Sequence, residues 1–342
     1  MRLLCLFILS MFLCSFNARA SEAISIDKLY TILEQSYPHN INYKKISLLA
    51  TSAINSFDKD YRVYNSDTKA FLYHKNTLLK SFNLPVDNNS SYLWKSVLTD
   101  IFLTYQNYSS KNLENNEQLK NLVLERIVNN IDDYSRIESN NSLDNKLNYE
   151  VKNNVIYIKS DIFYKGYSND IKNIIQNTTN AEGLILDFRN NRGGDFNEAI
   201  KVADLFLDNA LITYCKEKDK THYYTSKNGD IFDSKKIVIL VNNKTASAAE
   251  IVTAALSEQS RAVVIGTRTY GKGAVQSVHH LKNSKMYITT ALSYTPSGKM
   301  IDNAGITPEI CTGMNNSCTI SSTNNDSKDI LMAINLIKNK LG

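Results

Sequence analysis

Ser247, Lys272 and Gln276 are the residues of this chain whose types and spacing could do chemistry. They stand in Lys244-Thr245-Ala246-Ser247-Ala248-Ala249-Glu250 and in Gly271-Lys272-Gly273-Ala274-Val275-Gln276. A serine hydroxyl is a poor nucleophile until an adjacent base takes its proton. The chain has five histidines, His39, His74, His222, His279 and His280, and no Gly-x-Ser-x-Gly element that would put a serine on a nucleophile elbow. No motif supports a histidine base, although the fold could still bring one near, and lysine is the other candidate. At its ordinary pKa of about 10.4, roughly one lysine in 2,500 is neutral at pH 7. Bringing that pKa near 7 means destabilising the ammonium by about 4–5 kcal/mol, which burial in an apolar site can supply. Lys272 has no carboxylate beside it in sequence, and Gly271 and Gly273 let backbone pack closely around it. Gln276 is neutral, so it can orient an amine without restoring the positive charge.

A nucleophilic serine also needs donors for the oxyanion it creates. Ser247 follows an apolar run, Lys236–Val241, and opens a helical pattern over Ala248–Ser257. The start of a helix has unpaired backbone N–H groups and the positive end of the dipole. The N–H of Ala248 is therefore the first oxyanion donor expected. A second is expected from the turn at Gly193-Gly194, where the missing side chains leave backbone N–H groups accessible. Losing one such donor typically costs on the order of 100–1,000-fold in rate.

The elements that must position these residues change character along the chain. All 12 glycines lie at or after Gly166. A stretch without glycine has few positive-φ turns, which favours helices joined by polar loops. Residues 21–150 are read as a helical domain, with faces at Leu48, Leu49, Ser52, Ala53 and Ser56 and at Leu119, Leu122, Val123, Arg126 and Ile127. Ala53–Arg62 faintly echoes Ile127–Arg136, as two similar helical hairpins or as coincidence in an Asn-rich sequence. Residues 151–320 are read as an α/β core. Its strands are expected at Val155–Ile158, Gly183–Phe188, Lys236–Val241, Ala262–Ile265 and Met286–Tyr294, with helices at Ser168–Asn177, Asn197–Leu207 and Ala248–Ser257. Residues 321–342 close with an amphipathic helix, Asp329–Leu341, carrying Ile330, Ile334, Ile337 and Leu341 on one face.

The 342 residues suffice for two domains, and 43% hydrophobic with 21% charged residues suits a packed core. The net charge of +5 includes Arg2 and Arg19, and no basic cluster or stripe occurs, which argues against nucleic acid as a partner. Residues 1–20 read as a secretory signal. Arg2 precedes the apolar run Leu3–Phe16, which is short for a membrane span, and Ala18-Arg19-Ala20 offers a small-x-small cleavage pattern before Ser21. The mature chain is expected in a secreted or periplasmic location without stable membrane insertion. Of Cys215, Cys311 and Cys318, the last two either close a small disulfide loop or stay as free thiols. No zinc-like spacing occurs.

Thr245–Glu250, Tyr270–Gln276 and Leu186-Asp187-Phe188-Arg189-Asn190-Asn191-Arg192-Gly193-Gly194 together resemble the C-terminal processing peptidases, or tail-specific proteases. Thr295–Gly298, Gly305–Glu309 and Ile131–Arg136 resemble further motifs of that family, and the resemblance spans roughly residues 125–312. It implies a crotonase-like core, with Ser247 as nucleophile, Lys272 as general base and Gln276 as its orienting partner. It implies no cofactor and no metal. Two departures stand out. The family usually places a PDZ domain after the Asp-Tyr-Ser-Arg motif, yet only 18 residues separate Arg136 from Val155. Arg192 stands where the family often has proline, a change expected to matter little.

Glu258 is read either as the family's acidic residue or as a solvated helix end, His279-His280 as a surface pair, and Asp187 as an organiser of its loop. The expected function is a serine endopeptidase acting on unfolded or C-terminal segments of exported proteins. The helical domain is read as a substrate recruiter, a surface for a regulatory partner, or a site of self-association. The alternative is a catalytically silent peptide-binding scaffold on the same core. An acyl-CoA enzyme is weak, because nothing reads as a nucleotide site.

Overall fold

Among the described residues, the chain opens with four helices and an unforeseen small sheet. The computed structural model describes residues 25–111, 113–139, 147–227, 229–316, 318–319 and 326–338. The leader read over residues 1–20 lies outside the described residues. Helix α1 (Ile26–Ser36) is capped by the Ser25 hydroxyl, and α2 (Tyr43–Phe57) by the Asn42 side chain. Strands β1 (Tyr61–Asn65), β2 (Lys69–His74) and β3 (Thr77–Asn83) then form an antiparallel sheet in that order. Helices α3 (Ser91–Tyr108) and α4 (Leu113–Val128) follow.

The helical reading of residues 21–150 is thus corrected over 61–83. Glycine was the turn signal sought, but the β2–β3 turn uses Lys75 at φ 53°. The buried face of α2 is also shifted from the expected one: Ile46, Ala50, Ala53 and Ile54 are inside, whereas Leu48 and Leu49 are half-buried. The two echoing segments are not helical hairpins. Each runs from the end of a helix through an Asp-containing turn into a strand, and α2 packs on α4.

Beyond α4 the chain forms β4 (Arg136–Ser139), β5 (Asn148–Lys152), β6 (Val155–Lys159), α5 (Tyr167–Asn177), β7 (Gly183–Asp187), α6 (Phe196–Asp204), β8 (Leu211–Lys216) and β9 (Thr221–Thr225). It continues through β10 (Lys236–Val241), α7 (Ala248–Glu258), β11 (Ala262–Gly266), β12 (Ala274–His280), β13 (Ser284–Tyr294), β14 (Ile310–Cys311) and α8 (Asp326–Ile337). The result is an α/β architecture with three sheets among the described residues. The six-stranded sheet runs β14-β11-β10-β7-β6-β5, parallel except for β5. Strand β5 begins before the boundary expected at 150 and belongs to this sheet.

Alternation along the central strands explains the layers, since successive side chains face opposite ways. Ile237, Ile239 and Val241 of β10 face the core shared with α5, α6 and α7, and Val238 and Leu240 face Ala333 and Ile337 of α8. Burial on both faces is why these strands read as continuous apolar runs. The end of the expected C-terminal helix, including Leu341, lies outside the described residues.

The third sheet runs β12-β13-β8-β9, and β4 also pairs with β13. Met286 and Ile288 of β13 sit in one apolar cluster with Leu29, Ile54, Trp94 and Ile127 of the N-terminal half. The two halves therefore share a core. Among the described residues, no helix is long and apolar enough to cross a membrane.

Candidate active site

The parallel strands β7 and β10 are neighbours, and the loops at their C-terminal ends are tied together. Asn190 and Asn242 exchange bonds of 3.0 and 3.1 Å. Thr245 Oγ1 donates to Phe188 O at 2.7 Å, and Ala246 N donates to Asn191 O at 2.9 Å. This is the sheet edge at which α/β proteins place their sites. Ser247 emerges from the second loop, half-buried, at φ 58° and ψ −119°. A non-glycine residue held there carries backbone strain, which surrounding bonds must over-determine.

Those bonds converge on Glu250, a residue of the Ser247 segment for which no role was expected. Its carboxylate is fully buried in the first turn of α7. Oε2 accepts from Ser247 N and from Lys272 N, both at 2.8 Å. Oε1 accepts from Gly271 N at 2.7 Å and from Thr269 Oγ1. One oxygen thus binds the backbone of both Ser247 and Lys272, so their nitrogens are no farther apart than two hydrogen bonds laid end to end. Burial pushes the Glu250 pKa up, while the bonds from Thr269, Lys272, Ser247 and Gly271 pull it down. Three of the four donors are N–H groups, and each oxygen already accepts two bonds. We therefore assign the carboxylate form despite the desolvation.

Lys272 is half-buried, and its Nζ donates to Gln276 Oε1 at 3.1 Å. The amine lies 5.4 Å from the centre of the Tyr134 ring. Burial, reinforced by the charge of Arg136, holds its pKa below the ordinary lysine value against the opposing pull of Glu138, Asp132 and Glu250. Gln276 Nε2 donates to Tyr134 O at 2.9 Å. Among the described residues, no hydrogen bond joins Ser247 Oγ to Lys272 Nζ. The structure brings Ser247, Lys272 and Gln276 into one neighbourhood and bonds the last two directly.

The glycine turn lies against Ser247. A Cβ on Gly193 would come within 2.7 Å of Ser247 Cβ and 2.9 Å of Ala248 N, and the residue has φ +90°. The Gly193 N–H is held by Asn191 Oδ1 at 2.9 Å. Among the described residues, no acceptor is bonded to Ala248 N or Gly194 N. Asp187 organises this loop: it accepts from Arg189 N at 3.0 Å, Arg189 Nε at 2.9 Å and Tyr157 OH at 2.6 Å. Arg189 also reaches Asp329 of α8 at 3.4 Å. Arg192 N donates to Asp161 O at 3.1 Å, a bond that a proline could not make. Glu258 grips the 295–298 turn through Ser297 N and Oγ, at 2.7 and 2.9 Å. His279 bonds Ser277 Oγ at 2.9 Å. Cys311 and Cys318 form a disulfide, and Cys215 is free and buried.

Sequence reasoning placed Asp132–Arg136 near the boundary of the helical half and gave it no chemistry. The structure puts it against Lys272. The turn is built on Asp132, whose Oδ1 accepts from Tyr134 N at 2.8 Å and from Ser135 N at 2.5 Å. Strand β13 then pairs with β4 on one edge and β12 on the other, which delivers Arg136 to Gln276.

A serine at a strained helix start, docked beside a half-buried lysine on an α/β sheet edge, supplies the two groups that serine–lysine hydrolysis requires. Comparison with known proteins narrows this. Residues 154–312 match the model of peptidase family S41. A carboxy-terminal-processing protease of Bartonella bacilliformis is 38% identical over 171 residues, covering 47% of this chain and 39% of that protein. The chloroplastic carboxyl-terminal-processing peptidase 2 of Arabidopsis thaliana is 38% identical over 158 residues, covering 45% of this chain and 31% of that protein. The matches thus span well under half the length of these curated relatives. Among solved structures, a lipoprotein from Streptococcus agalactiae shares the fold, with a TM-score of 0.51 and 20% identity over 71% of this chain and 88% of that one.

Proposed function

We propose that the chain is a serine endopeptidase that hydrolyses peptide bonds in unfolded or C-terminal segments of exported proteins. The observation that carries this reading is the Glu250 carboxylate, whose single oxygen Oε2 docks the backbone of Ser247 and of Lys272. Neutral Lys272 takes the Ser247 proton as Oγ attacks the substrate carbonyl, and the ammonium returns that proton to the leaving amine. Lys272 then activates water, which attacks the acyl carbon and releases Ser247. Gln276 holds one Lys272 N–H throughout. The N–H groups of Ala248 and Gly194 stabilise the oxyanion, Gly193 N–H being committed to Asn191. The bond between Ser247 Oγ and Lys272 Nζ tightens on substrate binding, because catalytic hydrogen bonds are often long without substrate. The leader motif over residues 1–20 supports export.

The test compares the purified protein with Ser247→Ala on an unfolded casein-like substrate, alongside labelling by a serine-reactive phosphonate probe. Cleavage and labelling should both vanish in the variant. Equal cleavage by the two proteins refutes the assignment. Peptide binding without cleavage or labelling in the native protein favours the silent scaffold.

A further inference from the structure

Gln276 Oε1 accepts from two basic side chains. It accepts from Lys272 Nζ at 3.1 Å and from Arg136 Nη1 at 3.2 Å. The amide cannot be turned round, because its Nε2 is 2.9 Å from Tyr134 O, which only accepts. Arg136 is itself fixed from three sides. Nη1 also donates to Tyr134 O at 3.1 Å, Nε pairs with Glu138, and the guanidinium stacks 4.4 Å from the centre of the Tyr287 ring. A planar fork held this way is a rigid positive group, unlike a lysine stem.

We propose that Arg136 is a positioning residue for Lys272, acting through the Gln276 amide that the two side chains share. This deepens the proposed function and rests on it. A guanidinium is a permanent positive charge. A proton on Lys272 would put a second cation on one neutral acceptor, so Arg136 favours the neutral amine that a base needs. Glu138 on β4, Asp132 in the preceding turn and Glu250 on α7 act in the opposite sense. Tyr134 and Tyr287 supply ring faces and no fixed charge. The arrangement also ties the base to the N-terminal half, since Arg136 follows α4 by way of the Asp132 turn. The serine–lysine pair therefore depends on a residue outside the span 154–312 that defines the family match.

The test titrates Lys272 directly, by NMR of protein labelled with 13C-lysine, with its signal assigned by Lys272→Arg. Removing the charge in Arg136→Gln should move the Lys272 midpoint to higher pH, and Arg136→Lys should restore part of the shift. On casein, Arg136→Gln should lower kcat/KM at pH 7 on the order of tenfold, the loss of one charged hydrogen bond, and move the acid limb upward with kcat falling more than KM rises. An unchanged midpoint and an unchanged acid limb in folded Arg136→Gln overturn the proposal. If that variant does not fold, Gln276→Leu, which severs the shared acceptor, must move the midpoint instead, and an unmoved midpoint there is equally fatal. The titration needs no turnover, so its outcome stands apart from the Ser247→Ala comparison that decides peptidase activity.

Discussion

Glu250→Gln separates a charged hub from a merely polar one. The amide can keep two of the four donors that the carboxylate satisfies. In its better orientation, Oε1 faces Ser247 N and Lys272 N, and Nε2 faces Thr269 and Gly271. Thr269 Oγ1, which already accepts from Ile306 N, can accept from the new amide. Gly271 N–H cannot, so one buried donor is orphaned at about 1–3 kcal/mol. The bonds from Ser247 and Lys272 lose their charge assistance, at about 1 kcal/mol each. The reverse orientation orphans two N–H groups and is worse. The expected loss of stability is about 3–5 kcal/mol, read by urea unfolding followed by circular dichroism. Because the released segment carries Lys272, the rate of Ser247 labelling should fall on the order of 100-fold. A variant within about 1 kcal/mol of the native protein, with unchanged labelling, refutes the reasoning: the buried carboxyl would then be protonated and glutamine its near-equivalent.

Two further outcomes follow from the same geometry. Gly193→Ala should abolish probe labelling and lower Tm, since the left-handed φ costs about 1–2 kcal/mol and the new Cβ pushes on Ser247 and Ala248. Full labelling by that variant would show that the contact is not enforced. Lys272→Met should end turnover without lowering Tm. The depressed Lys272 pKa means that the folded state binds fewer protons than the unfolded chain, so the native amine weakens the fold increasingly as pH falls below the ordinary lysine value. Tm measured against pH should show the variant gaining on the native protein toward acid, and a difference that is flat with pH contradicts the assigned direction.

The central strands and helices were legible because burial on both faces leaves uninterrupted apolar runs such as Lys236–Val241, bounded by glycine or polar turns. Ser247, Lys272 and Gln276 were legible from residue types and local context. What was hidden depends on pairing between distant segments. Strands β4 and β12 flank β13 and are neighbours only through it, so nothing local in Asp132–Arg136 reports its place beside Gln276. Glu250 stands three residues after Ser247, but a buried carboxylate collecting four donors from Ser247 and from the distant stretch Thr269–Lys272 leaves no local pattern. Strands β1–β3 were missed because their turns do without glycine.

The apolar cluster that joins Met286 and Ile288 to the N-terminal helices also sets an order of events during synthesis. A chain made from its N-terminus exposes Leu29, Ile54 and Ile127 long before β13 exists to close over them. Lys272 and Gln276 emerge before β13 as well, but Arg136 reaches them only through that strand. Any product cut short ahead of Ser284 holds Arg136, Ser247, Glu250, Lys272 and Gln276 yet lacks the strand that both β4 and β12 pair with. The pairing that sets Arg136 against Gln276 thus waits for a strand made late in synthesis.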